Sequence, residues 1–193
     1  MDEIAPYDQN TVVGDTLIDE LMDPALKKLI LITPPHLLET KAFFIENSTS
    51  SGNQSDYGDG SGYVILPDDF VKLISFKMTE WKRPVTKAIG EFDPKYKLQK
   101  NNYTRGGIAK PVCVIRYQPT LDFKILEYYS VLTDHTIDHA LYAALPDVED
   151  FQEDLIEPLC WLIASDAFDI LERPDMAKIC KDKVTEFFDA QAL

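Results

Sequence analysis

His135 and His139 stand four residues apart, the spacing that stacks two imidazoles on one helix face, and with Asp134 or Asp138 they have the donor types of a divalent-metal site. The segment lacks the glutamate that follows the first histidine of a zinc hydrolase, so a polar helix face explains the pair without metal. His36 is isolated. Asp56-Tyr57-Gly58-Asp59-Gly60 is oxygen-rich like a calcium loop but lacks its regular alternation of ligands and its distal glutamate. Gly106-Gly107 lies between Arg105 and Lys110, yet no strand with phosphate-loop or dinucleotide spacing leads into it, and a projecting turn accounts for it. Cys113, Cys160 and Cys180 are odd in number, widely spaced and set among apolar neighbours, which implies reduced, buried thiols and neither a disulfide framework nor a zinc knuckle. No histidine accompanies a thiol and no serine occupies a nucleophile elbow, so covalent catalysis lacks both nucleophile and base. The expectation is a protein that is not an enzyme, with no catalytic residue, no metal and no cofactor.

The elements that would position any site read as follows. Asp15 can cap a helix carrying Leu17, Ile18, Leu21 and Met22; Asp23-Pro24 interrupts it and opens a second helix carrying Ala25, Leu26, Leu29 and Ile30, ended by Pro34-Pro35. Leu37, Leu38, Phe43, Phe44 and Ile45 form another apolar stretch, and residues 48–62, nearly all Ser, Gly, Asn and Asp, read as a flexible loop. Residues 63–66 are a short β-type run closed by Pro67-Asp68-Asp69, and 70–78 resume as a strand that Trp81-Lys82-Arg83-Pro84-Val85 ends. Residues 92–110 read as a basic, projecting connection, and 112–117 with 123–129 as a hairpin. Thr133 or Asp134 can cap a helix through Ile137, Leu141 and Leu145. Leu155, Ile156, Leu159, Leu162, Ile163, Ala167, Ile170 and Leu171, then Met176, Ile179, Cys180, Val184, Phe187 and Phe188, mark two further helices separated by Pro174. The fold class expected is α+β: a helical bundle, made of N-terminal arm helices and two closing C-terminal helices, with a small antiparallel β insertion. Its parts are a helical arm over 1–47, a flexible loop over 48–62, a β-rich basic region over 63–131 and C-terminal helices over 132–193.

The 193 residues suit one ordinary domain or a core with an elaborated arm, and 45% hydrophobic with 27% charged residues is enough to bury a core. The acidic start Met1-Asp2-Glu3 and the brevity of the longest aliphatic run, Leu29-Ile30-Leu31-Ile32, disfavour secretion and membrane insertion, leaving a cytosolic expectation. The formal net charge of -14 repels nucleic acid at long range. That total hides a split: residues 72–124 hold 12 Lys or Arg against only Glu80, Glu91, Asp93 and Asp122, whereas the remainder holds 7 bases and 29 acids. A basic face and an acidic face on one chain are complementary to each other but not to themselves. Identical copies can therefore meet head-to-tail, and such contacts close into rings when the rotation permits.

Tyr63-Val64-Ile65-Leu66-Pro67-Asp68-Asp69-Phe70-Val71-Lys72-Leu73 resembles the Tyr, Leu-Pro-x-Asp-Phe-x-Arg-Leu signature of head-to-tail adaptors of short-tailed bacteriophages, the tail-tubular or connector family. Tyr63, Leu66, Pro67, Asp69, Phe70 and Leu73 carry the likeness; Lys72 stands where the family often has arginine, and the Ser/Gly-rich loop is an addition. Trp81-Lys82-Arg83-Pro84-Val85 and residues 103–111 are similar, more narrowly, to ring proteins of crAss-like phages of gut Bacteroidales. The resemblance implies a structural virion protein: a ring of twelve copies beneath the portal that extends the DNA channel and connects to tail proteins, without specific DNA binding and without a membrane. Its place would be the portal vertex or tail of the virion, after assembly in the host cytoplasm. Trp81, Arg83, Lys87, Tyr103, Arg105 and Lys110 are then expected at the interface with a neighbouring subunit or ring, Arg83 and Arg105 foremost. The competing expectation is an acidic soluble binding module, a nucleic-acid mimic acting on a basic protein partner.

Overall fold

Apolar stripes at helical spacing and β-branched or aromatic runs organise the residues that the computed structural model describes, 10–43, 54–120, 122–132, 136–146 and 151–191. In chain order these form α1 (Asn10–Ile32), β1 (Lys41–Ala42), β2 (Gln54–Asp56), β3 (Gly62–Ile65), β4 (Phe70–Met78), β5 (Ile89–Gly90), α2 (Pro94–Gln99), β6 (Cys113–Gln118), β7 (Phe123–Tyr128), β8 (Ile137–Ala144), α3 (Ile156–Ile170) and α4 (Pro174–Gln191). The chain divides into two compact units, one of Met1–Leu38 with Leu145–Leu193 and one of Glu39–Ala144.

In the helical unit, Ala25, Leu26 and Leu29 of α1 pack with Leu155, Leu159 and Ile163, flanked by Leu21, Met22, Leu162, Phe187 and Phe188. On α4 the stripe Ala177, Cys180 and Val184 is buried. Lys28 bonds Asp166 at 2.7 Å and Lys181 bonds Asp169 at 2.9 Å, tying α1 to α3 and α3 to α4. The break expected at Asp23-Pro24 does not occur: α1 is continuous, with Pro24 inside it. An interior proline costs about 3 kcal/mol through its lost hydrogen bond and its clash. Burying Leu26 and Leu29 contributes about 1.5–3 kcal/mol each and outweighs it. Of the three thiols expected to be buried, Cys113 and Cys180 are buried and Cys160 is exposed.

The β unit holds two sheets, ordered β1-β8-β4 and β2-β3-β7-β6-β5. Neighbours are antiparallel except β5 and β6, which are parallel. Both sheets feed one core: Val64, Cys113, Leu126 and Tyr128 from the larger, Leu73, Phe76, Met78, Ile137 and Ala140 from the smaller, with Leu66, Trp81, Val85 and Val131 between. Phe76 sits at its centre, its ring 6.2 Å from Tyr128, 6.2 Å from Phe43 and 5.7 Å from Trp81. Leu66 to Asp69 hand the chain from one sheet to the other, with Phe70 N–H donating to the Pro67 carbonyl at 3.1 Å. Gly62 is required where it stands, because a Cβ there would collide with the Ser55 carbonyl and the Tyr128 ring.

The helical bundle with a small β insertion is therefore corrected: the chain is mixed α/β, with four helices and eight strands in two sheets among the described residues. The helix expected through Ile137, Leu141 and Leu145 is β8, the central strand of its sheet. Register shifts in the β4–β8 ladder break the alternation of faces, so the buried positions 137, 140, 142 and 143 imitate a helical period. Within the expected loop, 54–56 pair as β2 and Gly62 opens β3, whereas 48–53 lie outside the described residues, as do Phe44, Ile45, Thr133, Asp134 and His135. Phe43 does not extend a helical arm; its N–H bonds the Ala140 carbonyl at 3.1 Å and its ring joins the β core. Residues 92–110 are no bare connection, since they contain α2.

Leu26→Ala is expected to lower stability by about 2–5 kcal/mol. Pro24→Ala, at an exposed position, is expected to raise it by about 1–3 kcal/mol. Urea midpoints of the two variants check both, and a Pro24→Ala protein no more stable than wild type would mean that the helix already bends to accommodate the ring.

Candidate functional site

Alternation along β6 and β7 sends Cys113, Ile115, Leu126 and Tyr128 to the core and Val114, Arg116, Gln118, Ile125 and Glu127 to the other face of the five-stranded sheet. Register sets Glu127 opposite both Val114 and Tyr63, with Arg116 one pair along the ladder. Tyr57, Asp59 and Ser61 from the β2–β3 turn and Tyr96, Gln99 and Lys100 from α2 complete a cleft of about 630 Å3 over these residues and Tyr129.

Glu127 is only 4% exposed, and a carboxylate so buried must be compensated. Arg116 Nε donates to its Oε1 at 2.6 Å, the Tyr129 hydroxyl to its Oε2 at 2.6 Å and the Tyr57 hydroxyl to its Oε1 at 3.4 Å. The Tyr96 phenol lines the same cleft, within the field of that carboxylate. Burial, then the Glu127 carboxylate, pushes the phenols of Tyr57, Tyr96 and Tyr129 upward. For Arg116, burial works against its charge, but the hydrogen bond and field of Glu127 prevail and raise it. The donors Arg116, Tyr57 and Tyr129 occupy most of the acceptor capacity of Glu127. The network's work is positional: one carboxylate ties the β2–β3 turn, β6 and β7 together.

Other groups reach similar ends. Ser75 Oγ lies 2.7 Å from His139 Nε2, and Asp138 Oδ2 lies 3.5 Å from His139 Nδ1, the connectivity of a serine triad. Lys77 takes Asp138 at 2.7 Å, so the carboxylate that would orient the imidazole is engaged elsewhere. Because 137–144 are a strand, His139 does not share a helix face with His135, and the metal geometry weighed for that pair is corrected. Among the described residues no group of three or more His, Cys, Asp or Glu side chains converges to hold a metal ion. Asp56 and Asp59 bond their own turn, Asp56 accepting from Gly58 N–H at 2.7 Å and Asp59 from Ser61 N–H at 3.0 Å. In the helical unit a cleft of about 460 Å3 is lined by His36, Asp154 and Phe187 among others, and His36 is its only imidazole.

The residues expected at an interface separate sharply. Trp81 is 2% exposed and packs in the core, so it has no surface to offer. Arg105 is pinned within its own unit, donating to the Asp59 carbonyl at 2.7 Å and pairing with the Asp59 carboxylate at 3.8 Å. Arg83, Lys87 and Lys110 are exposed, and Tyr103 is 98% exposed. The motif residues are structural. Leu66 and Leu73 enter the core, Pro67 makes the turn, and the Tyr63 ring lies 5.6 Å from Tyr57. Asp69 accepts from the Tyr142 hydroxyl at 2.8 Å and from Lys41 at 3.2 Å, while Phe70 stacks on Tyr142 at 5.7 Å. Burial and that bond to Asp69 push the Tyr142 phenol up to about 12. The cluster around Glu127 was missed in the sequence, although Arg116 in one strand and Glu127 in the other, charges within an otherwise β-type hairpin, were its visible signal.

No protein-family model matches the chain, and no curated protein matches it. The adaptor resemblance thus rests on the residues that carry it.

Tyr129→Phe removes one donor from Glu127 and is expected to cost about 1–3 kcal/mol. Phenols raised in the folded state lend stability that is whole below their unfolded value near 10 and drains away as pH climbs from there toward the folded values. Urea midpoints should be flat from pH 7 to 9 and fall above about pH 10, less steeply in Tyr129→Phe.

Proposed function

We propose that the protein is a non-enzymatic structural subunit that joins copies of itself head-to-tail into a ring, as the adaptor resemblance implies. One observation carries this reading: the helical unit holds the whole acid excess, whereas the β unit is balanced overall but presents bases that make no ion pair among the described residues. The helical unit's sequence holds 6 Lys or Arg against 20 Asp or Glu, the whole net charge of -14, whereas the β unit's holds 13 of each. Within the β unit, Lys82, Arg83, Lys87, Lys95, Lys97, Lys100, Lys110 and Lys124 make no ion pair among the described residues. On the helical unit, Asp19, Glu20, Asp23, Glu153, Asp154, Glu157, Glu172, Asp175, Asp182 and Asp189 are exposed and likewise make none.

An acidic surface and one bearing unpaired bases attract each other, which favours a heterologous contact, and such contacts close into rings when the rotation permits. Twelve copies, the portal protein on one side and a further ring or tail protein on the other follow from the resemblance, as does placement in the virion. An acidic wall suits passage of DNA, because a wall that neutralised phosphates would release counterions and hold the duplex.

Native mass measurement and electron microscopy of the purified chain, alone and with portal, test the reading. The expected result is a ring whose mass is a multiple of 21.9 kDa and which dissociates as ionic strength rises through about 0.5 M. A chain that stays monomeric at low salt, with portal present, overturns it; a monomer that captures one basic protein would instead be the acidic mimic.

A further inference from the structure

We propose that residues 92–103 are the element by which one copy grips the acidic helical unit of the next, a deeper claim that rests on the ring reading. Phe92 is 92% exposed and Tyr103 98%, with Leu98 half exposed between them, and Lys95, Lys97 and Lys100 stand exposed on the same short segment. Large apolar side chains held in water beside uncompensated positive charge are the composition of an interface core with its rim, not of a solvated face.

The segment is held ready. Asp93 caps α2 by accepting from Lys95 N–H at 2.8 Å, and Thr104 Oγ1 donates to the Leu98 carbonyl at 2.9 Å. Tyr103 N–H donates to Asn101 Oδ1 at 2.9 Å. The buried Gln99 accepts from Gly106 N–H at 2.9 Å. Preorganised aromatic anchors lose little entropy on docking, which is where binding energy concentrates.

The occupant with matching chemistry is a second copy of this chain. At the junction of α3 and α4, Ile170, Leu171, Met176 and Ile179 are exposed among Glu172 and Asp175, with Arg173 and Lys178 exposed in the same stretch. Aromatics among lysines thus meet aliphatics on the unit that carries the net charge of -14. A single-stranded nucleic acid could also use exposed rings and lysines, but the net charge of -14 opposes its approach.

The test compares full-length wild type, Phe92→Ser/Tyr103→Ser, Lys95→Glu/Lys97→Glu and Glu172→Lys/Asp175→Lys by sedimentation at low salt, with urea midpoints to show that these surface changes leave folding intact. Each variant should weaken self-association by roughly 10- to 100-fold. A chain combining Lys95→Glu/Lys97→Glu with Glu172→Lys/Asp175→Lys should regain at least about tenfold, because the charges are exchanged. Variants that assemble like wild type overturn the docking element and leave the ring reading standing, whereas a wild type that never assembles overturns both. Binding of a single-stranded oligonucleotide that Phe92→Ser/Tyr103→Ser abolishes, with sedimentation unchanged, also overturns it in favour of a nucleic-acid surface.

Discussion

A carboxylate taken out of water must find donors, and on β7 Glu127 finds them from three directions: Arg116 along the sheet, Tyr57 from the β2–β3 turn and Tyr129 just beyond its own strand. Neither the turn nor a six-residue helix would hold its position by backbone bonding alone, since so short a helix is marginal in water. The polar network supplies what apolar burial does not, a fixed orientation, because each hydrogen bond is lost if the turn shifts by a fraction of an ångström. The α2 segment has side-chain bonds of its own, Gly106 N–H to Gln99 and Thr104 to the Leu98 carbonyl, and what it presents to the outside, Phe92 and Tyr103 above all, inherits its placement from them.

Charge acts on a different length scale. A single exposed ion pair is worth at most about 1 kcal/mol, so no one lysine of the β unit could hold a partner. Eight bases of the β unit and ten acids of the helical unit that make no ion pair among the described residues can act together, in a field that reaches roughly 8–10 Å at physiological salt. That field orients and accelerates encounter, while desolvated apolar and aromatic contacts provide most of the lifetime. The coincidence of exposed rings with the basic segment, and of exposed aliphatics with the acidic helices, is what makes a lasting contact possible.

Periodicity made some of this legible in the residues. The stripes of α3 and α4 and the hairpin of β6 and β7 follow from spacing alone, because each buries one regular face. β8 did not, since bulges against β4 scramble its alternation, and two-residue strands such as β1 and β5 are too short to carry any period. Pro24 misled because its local penalty is smaller than the packing of the helix around it, a balance that only tertiary contacts decide. Trp81 and Arg105 misled for a shared reason: an aromatic or an arginine in a basic stretch suits a partner surface and an internal anchor equally well. Core packing claims the first and the Asp59 turn claims the second.

The motif that carries the adaptor resemblance does internal work throughout. Leu66 and Leu73 fill the core, Pro67 turns the chain between sheets, and Asp69 and Phe70 are committed to Tyr142. Residues so fully used cannot also select a partner, so the motif prescribes how two sheets are joined and leaves recognition to the surface around it. Recognition must then reside in side chains whose present contacts cost nothing to break. Phe92 and Tyr103 meet that condition as Trp81 and Arg105 do not, which in the proposed ring shifts the weight of the interface from the residues nearest the motif to the α2 segment.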